Sequence, residues 1–165
     1  MIVHMTNGTA DFLKKLADKY PNKQIWLMHS DTNSLAYYED NEKSIFVSGR
    51  DYDILLKSGE IQEEGYVVMN NIPVTEEGQP VFEDQFRKRK HDVENMPGFQ
   101  AFRLLKPKKG NTYIVFTQWQ SVKDFENWKN SDQFKQSHKN QSAKPPDYFA
   151  ERPFLTTYQM FVEEE

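Results

Sequence analysis

The most constraining feature of this sequence is the order of hydrophobic patterns that follows Gly65. Residues 66–74 are typical of a strand, and residues 78–94 carry apolar side chains at helical spacing, which predicts a helix. Two further strands, a helix capped by Ser121 and a closing strand are predicted at residues 99–105, 112–119, 121–128 and 155–162. Elements in this order form an antiparallel sheet with helices on one face.

The predicted fold class is therefore α+β, with a ferredoxin-like split βαβ arrangement over residues 65–165. A second short helix is expected over residues 133–139, after Ser131 and Asp132, and a loop over residues 140–153.

The first part of the chain predicts a shortened version of the same order. Strands are expected at residues 1–6, 25–29 and 34–38. A helix is expected to open within residues 8–11 and to stop at Pro21 and Asn22, and a short helix is expected over residues 50–58, ending at Gly59. We interpret residues 1–64 as an N-terminal half-domain and residues 65–165 as the second domain.

Composition excludes several functional classes. The chain lacks cysteine, which excludes disulfides, thiolate metal sites and cysteine nucleophiles. Its formal net charge is −4, so a uniform surface for nucleic acid is not expected. No long apolar run or signal peptide is present, so we expect a cytoplasmic protein that does not bind membranes. The 12 Phe, 8 Tyr and 3 Trp residues can fill a core or line a pocket for a flat ligand.

Three residues are candidates for chemistry. His138 shares a helical face with Phe134 and is a potential iron ligand, although a histidine near a helix C-terminus is more often exposed or capping. Trp128 is a large ring at a position where rings are usually core. Asn70 lies in a strand row with Val68 and Ile72, and a buried amide there needs a partner, either structural or a ligand. Asn71, on the opposite face, raises no such question.

A basic run over residues 87–91 is ordinarily a solvated face. Arg89 alone of that run falls on the stripe of Phe82 and Phe86, where a guanidinium can hold a carboxylate. No glycine-rich phosphate loop, Ser/His/Asp signature or HExxH motif is present.

The string from Trp128 to His138, W-x-x-S-D-x-F-x-x-x-H, resembles the signature region of the IsdG-type haem-degrading monooxygenases. These enzymes belong to the antibiotic-biosynthesis-monooxygenase superfamily and use an Asn, a Trp and a His, which match Asn70, Trp128 and His138. The resemblance to short members covers residues 66–162. Over its full length the chain is similar to the longer HmoB-type members of Bacillus.

The resemblance implies that haem is both substrate and cofactor, opened with O2 and electrons from an external donor, an unidentified reductase. His138 is then the axial ligand, Trp128 buckles the ring, and Asn70 hydrogen-bonds on the opposite side. Phe82, Phe86 and Phe134 supply apolar walls. Arg89 is the candidate for the propionates, with Arg87 and Lys135 as alternatives.

In the longer members the N-terminal segment stands in for part of a second subunit, which implies an internal pseudo-dimer and a monomeric chain. A related signalling branch shares the length but not the three residues. Two alternatives stay open at this point: a cofactor-free quinol-type monooxygenase, and a non-catalytic haem-binding or regulatory protein.

Overall fold

The computed structural model describes residues 1–88, 92–132, 134 and 148–161. The elements are β1 (Ile2–Gly8), α1 (Ala10–Lys19), β2 (Trp26–His29), β3 (Ser34–Asp40), β4 (Arg50–Gly59), β5 (Tyr66–Pro73), α2 (Gln79–Lys88), β6 (Phe99–Pro107), β7 (Thr112–Trp119), α3 (Val122–Lys129) and β8 (Phe154–Met160). A short 3₁₀ turn, Asp92–Asn95, precedes β6. Within these described ranges, no helix has the length and apolar character needed to cross a membrane.

The cap predicted at Ser121 is confirmed, and Thr9 caps α1 in the same way. The Thr9 side chain accepts a hydrogen bond from the Phe12 N–H at the start of α1. The Ser121 side chain does the same for the Asp124 N–H at the start of α3. Each satisfies one of the N–H groups that lack a partner in the first turn.

The eight strands of the described residues form one closed antiparallel barrel in the order β1-β3-β2-β8-β5-β7-β6-β4. The strands of residues 1–64 are neighbours in the order β4-β1-β3-β2, and those of residues 65–165 in the equivalent order β8-β5-β7-β6. The β2–β8 and β4–β6 pairs join the two sets. The predicted α+β class is confirmed, whereas closure into a single barrel was not predicted.

The predicted helix over residues 50–58 is wrong, because this segment is strand β4. β4 pairs with β1 on one side and with β6 on the other. Its register shifts between Ile54 and Leu56, so that the alternation of inward and outward side chains is interrupted there. The boundary predicted between residues 64 and 65 falls in the connection between β4 and β5.

The apolar residues form separate clusters on the two faces of the barrel wall. The barrel interior holds one cluster, which includes Val67, Met69 and Phe116. The outer face of the second half holds another, under α2 and α3, which includes Val68, Ile72 and Trp128. We call the latter the outer aromatic cluster. A smaller cluster lies under α1 and includes Leu13 and Tyr38.

Candidate functional site

Trp128 is held rigidly at the end of α3. Its ring is 9% exposed and stacks on the fully buried Trp119 at a centroid distance of 6.5 Å. The Ser131 hydroxyl donates to the Trp128 carbonyl oxygen at 2.6 Å and accepts from the Phe134 N–H at 3.2 Å. Phe134 meets the Trp128 ring edge-on at 5.6 Å. The signature string thus fixes these two rings relative to each other.

Phe82 and Phe86 belong to the same outer aromatic cluster as Trp128. Phe82 packs edge-on against Tyr113 at 4.8 Å, and Phe86 stacks on Phe102 at 6.2 Å. Both side chains are buried, so they attach α2 to the sheet. They can border a ligand only on the side that faces away from these contacts.

Asn70 lies on the outer face of β5, in the same row as Val68 and Ile72, as predicted. Its side chain is partly buried. Across the part of the chain that the structure describes, its amide has no hydrogen-bond partner. A half-buried amide without a partner beside an apolar cluster is suited to a ligand that carries polar atoms.

The expectation that Asn71 raises no question is wrong, because its side chain is buried on the inner side of β5. Its amide nitrogen donates to the carbonyl oxygens of Met69 and Phe154 at 3.1 and 3.2 Å, and to the Thr156 hydroxyl at 3.1 Å. Asn71 is therefore a structural residue whose hydrogen bonds are made within the fold.

Sequence reasoning missed a charged group beside Phe82. Glu83 accepts a hydrogen bond from the buried Tyr113 hydroxyl, and Lys106 lies 2.9 Å from its carboxylate. Burial alone would raise the pKa of Glu83, but the hydrogen bonds from Tyr113 and Lys106 outweigh it and hold that pKa below its ordinary value. Burial first, and then the Glu83 contact, raise the pKa of Tyr113. No short motif marks this group, since its members lie on α2, β6 and β7.

Of the three basic residues considered for propionate binding, the structure describes one. Arg87 lies 3.9 Å from the Glu83 carboxylate, so its charge is already partly matched. Arg89 and Lys135 lie outside the described residues. The predicted carboxylate-binding role of Arg89 stays a prediction.

The histidines of the described ranges are His4 and His29. His4 is buried, with Nδ1 2.7 Å from Asp51 and Nε2 3.0 Å from Asp40, so both of its nitrogens are engaged. His29 is exposed beside Phe161. His138 and most of its predicted helix lie outside the described residues, as does His91. The role of His138 as a ligand stays a prediction.

Comparison with known proteins identifies the family. A family model described as antibiotic biosynthesis monooxygenase matches residues 65–140. A heme-degrading monooxygenase of Listeria monocytogenes is 30% identical over 129 residues, which are 78% of this chain and 77% of that protein. This chain belongs to the antibiotic biosynthesis monooxygenase family.

Other similar proteins carry a different description. Signal transduction protein TRAP of Staphylococcus aureus is 26% identical to this monooxygenase-family chain over 133 residues, 81% of the chain and 80% of TRAP. A solved structure of a major regulator of staphylococcal pathogenesis covers 99% of this chain and 100% of its own, with a TM-score of 0.88 and 23% identity. The latter likeness shows a shared fold.

The family assignment raises the question of whether the outer aromatic cluster and Asn70 could accommodate a haem. A flat tetrapyrrole needs an apolar surface for its faces and polar groups for its centre and its edge. The described residues fit those needs on one side, through Trp128, Phe134 and the free Asn70 amide. In this member of the antibiotic biosynthesis monooxygenase family, apolar rings and an unpaired amide therefore lie on the same outer face of the sheet.

Proposed function

We propose that this protein is a haem-degrading monooxygenase that opens the porphyrin ring of haem with O2 and external electrons and releases the iron. The observation that carries the proposal is the free, half-buried amide of Asn70 on the same sheet face as the cluster that contains Trp128. The Listeria monocytogenes relative, whose name states this activity, supports it.

Haem is the substrate, and it supplies the iron and the conjugated ring on which the oxidation takes place. The protein binds and orients it. In this proposal His138 provides the axial nitrogen, and Arg89 holds a propionate. Phe82, Phe86 and Phe134 border the ring and keep water away from it, which strengthens every polar contact in the site.

Trp128 can deform a bound ring only if its own indole is held in a fixed position. Its indole is backed by the buried Trp119, and its backbone is tied to Phe134 through the Ser131 hydroxyl. A ring pressed against such a support bends more readily than the support moves, since protein interiors are close-packed. We therefore assign Trp128 the buckling of the tetrapyrrole.

Asn70 contributes both a donor and an acceptor. Its amide NH2 and carbonyl oxygen face the outer surface without a competing partner in the described part of the chain. It is therefore available to hydrogen-bond a polar atom above the ring centre, where donors decide between binding and activation of O2.

Two other functions remain as candidates. The similarity to signal transduction protein TRAP of Staphylococcus aureus favours a regulatory function, in which this protein would bind haem without degrading it. The family description also suits a cofactor-free monooxygenase that acts on a quinol. The first predicts haem binding without turnover, and the second predicts no specific haem binding.

A haem titration followed by addition of ascorbate in air tests the proposal. We expect a Soret band that saturates at one haem per chain, and then loss of that band with release of iron, in the presence of catalase to remove free peroxide. His138→Ala is expected to abolish or strongly shift the Soret band. His29→Ala, which alters an exposed histidine on β2, is the matched control and should leave the band unchanged.

The outcomes separate the candidates. A stable Soret band that survives the reductant indicates the regulatory function, and the absence of any specific band indicates the quinol-type enzyme. An unchanged spectrum in His138→Ala contradicts the assignment of the axial ligand.

A further inference from the structure

Strand β8 borders Asn70 on the side away from β7. The register places Asn70 opposite Val115 of β7 and opposite Leu155 of β8. Residues directly opposite each other in an antiparallel pair point to the same face of the sheet. The three side chains therefore form one row on the outer face of the barrel.

The two neighbours of Asn70 differ in burial. Val115 packs against the outer aromatic cluster under the helices. Leu155 is 49% exposed although it is a large apolar residue in the middle of a paired strand. The open side of the Asn70 amide is therefore the side of β8, and an apolar surface lies there.

Thr157 is the next outward-facing residue of β8, opposite Val68. It is partly buried, and its hydroxyl has no partner among the residues described. On the inner face, the adjacent pair behaves differently, because the Thr156 hydroxyl accepts a hydrogen bond from Asn71 at 3.1 Å. Asn71 and Thr156, on the inner face, are therefore hydrogen-bonded to each other. Asn70 and Thr157, on the outer face, make no side-chain hydrogen bond among the residues described.

The size of this patch decides what can occupy it. Strand spacing and residue spacing give Asn70, Leu155 and Thr157 a span of roughly 5 by 7 Å. A stable protein partner would bury about 800 Å² on each side, far more than three side chains provide. A flat ligand that already lies on the outer aromatic cluster can reach this patch with one edge.

We propose that Leu155 and Thr157 extend the ring-binding surface of Asn70 onto β8, Leu155 by apolar contact with the tetrapyrrole and Thr157 by a hydrogen bond at its polar edge. This inference rests on the proposed function. One apolar and one hydroxyl contact beside the amide make the surface asymmetric, so together they set the in-plane orientation of the ring and hence which bridging carbon is attacked.

Iron-free protoporphyrin IX tests the ring contact separately from the iron ligand. We expect Leu155→Asp to weaken its binding about tenfold or more, measured by porphyrin fluorescence, because a charge replaces an apolar contact of leucine size. Haem binding should weaken in parallel. Val47→Asp is the control, since Val47 is fully exposed in the first half of the chain, and it should bind both ligands like the unaltered protein.

Thr157→Val, which keeps the shape and removes the hydroxyl, tests the orientation. We expect a changed ratio of the ring-opened product isomers, separated by chromatography, and a porphyrin affinity that falls by about two- to tenfold, because one hydrogen bond is lost. Equal affinities in Leu155→Asp and Val47→Asp, or an unchanged isomer ratio in Thr157→Val, would overturn the inference while leaving haem degradation intact. If the unaltered protein binds neither ligand, the proposed function itself falls, and this inference with it.

Discussion

At the residue scale, Asn70 and Asn71 carry the same amide in adjacent positions but in opposite environments. The Asn71 amide nitrogen donates to acceptors at three positions within 3.2 Å, whereas the Asn70 amide faces outward without one in the described ranges. Because strand residues alternate faces, a shift of one position separates the structural role of Asn71 from the ligand-binding role that we propose for Asn70. The sequence pattern predicted the faces correctly but not which amide would be satisfied.

Trp128 offers a prediction at this scale. Trp128→Phe keeps an aromatic ring against Trp119 but removes the larger indole. We expect this variant to bind haem and to degrade it at least tenfold more slowly, as followed by the decay of the Soret band. Trp128→Ala should in addition lose about 3–5 kcal/mol of the free energy of unfolding. Trp26→Phe, on β2 and packed against the barrel interior, is the control. Full turnover in Trp128→Phe would remove the buckling role.

At the element scale, β4 connects the two sets of strands through its pairing with β6. The strand ends at Gly59, which has a φ of +72°, and a Cβ there would lie 2.2 Å from the Gln100 carbonyl oxygen. This oxygen belongs to the backbone of β6, at its register shift between Phe99 and Ala101, so the contact cannot be relieved by turning a side chain. Gly59 is therefore required at the end of β4 both by its conformation and by its neighbour.

Gly59→Ala should lower the free energy of unfolding by more than the cost of placing an alanine in the left-handed conformation. We expect a loss of more than about 2 kcal/mol in chemical denaturation, since the strain of φ adds to the clash. Gly110→Ala provides the matched control, because Gly110 has a φ of +86° but no atom within 4 Å of its Cβ position. Its loss should be about 1 kcal/mol. Equal losses in the two variants would show that the Gln100 contact contributes nothing.

The incorrect prediction of a helix at residues 50–58 has a physical cause. Tyr52 and Ile54 pack in the barrel interior, whereas Leu55 and Leu56 pack in the outer aromatic cluster. A strand that is apolar on both faces and contains a register shift has no alternation of period two. In the second half, by contrast, the register shift of β6 lies near its first residue, between Phe99 and Ala101, and Ser121 marks the cap of α3, so these elements were predicted correctly.

At the scale of the whole molecule, a buried ion pair crosses the barrel. Arg103 of β6 is buried, and its Nε donates to Glu39 of β3 at 3.0 Å. Glu39 also accepts from the Tyr37 hydroxyl at 2.7 Å, while Nη1 of Arg103 donates to the carbonyl oxygens of Ser58, Gly59 and Phe102. The two halves therefore share a polar core contact that neither could satisfy alone.

We expect the protein to sediment as a monomer. Every strand of the described chain pairs on both sides within the closed barrel, so no strand edge is left for a second copy to extend. Sedimentation velocity over a hundredfold range of concentration measures this. A dimer that persists on dilution would contradict the idea that residues 1–64 stand in for a second subunit.

Much of the candidate site could be proposed from sequence because its residues fall in one string, from Trp128 to Phe134, and in one strand row around Asn70. The contribution that we propose for β8 could not, because the pairing of Asn70 with Leu155 joins segments that are far apart in the chain. Hydrophobic periodicity identifies elements and faces, but not which strand lies beside which.

The β2–β8 pair has a consequence for how the protein forms. Met28 lies opposite Met160, and the Phe161 N–H beside this pair donates to the Leu27 carbonyl oxygen at 2.8 Å, so one of the two joints of the barrel requires β8 to have been synthesised. Until then β2 has only β3 beside it. Such long-range pairing gives a high contact order and slow folding. During translation, we therefore expect the backbone groups of β2 that face away from β3 to stay exposed to solvent until β8 has left the ribosome.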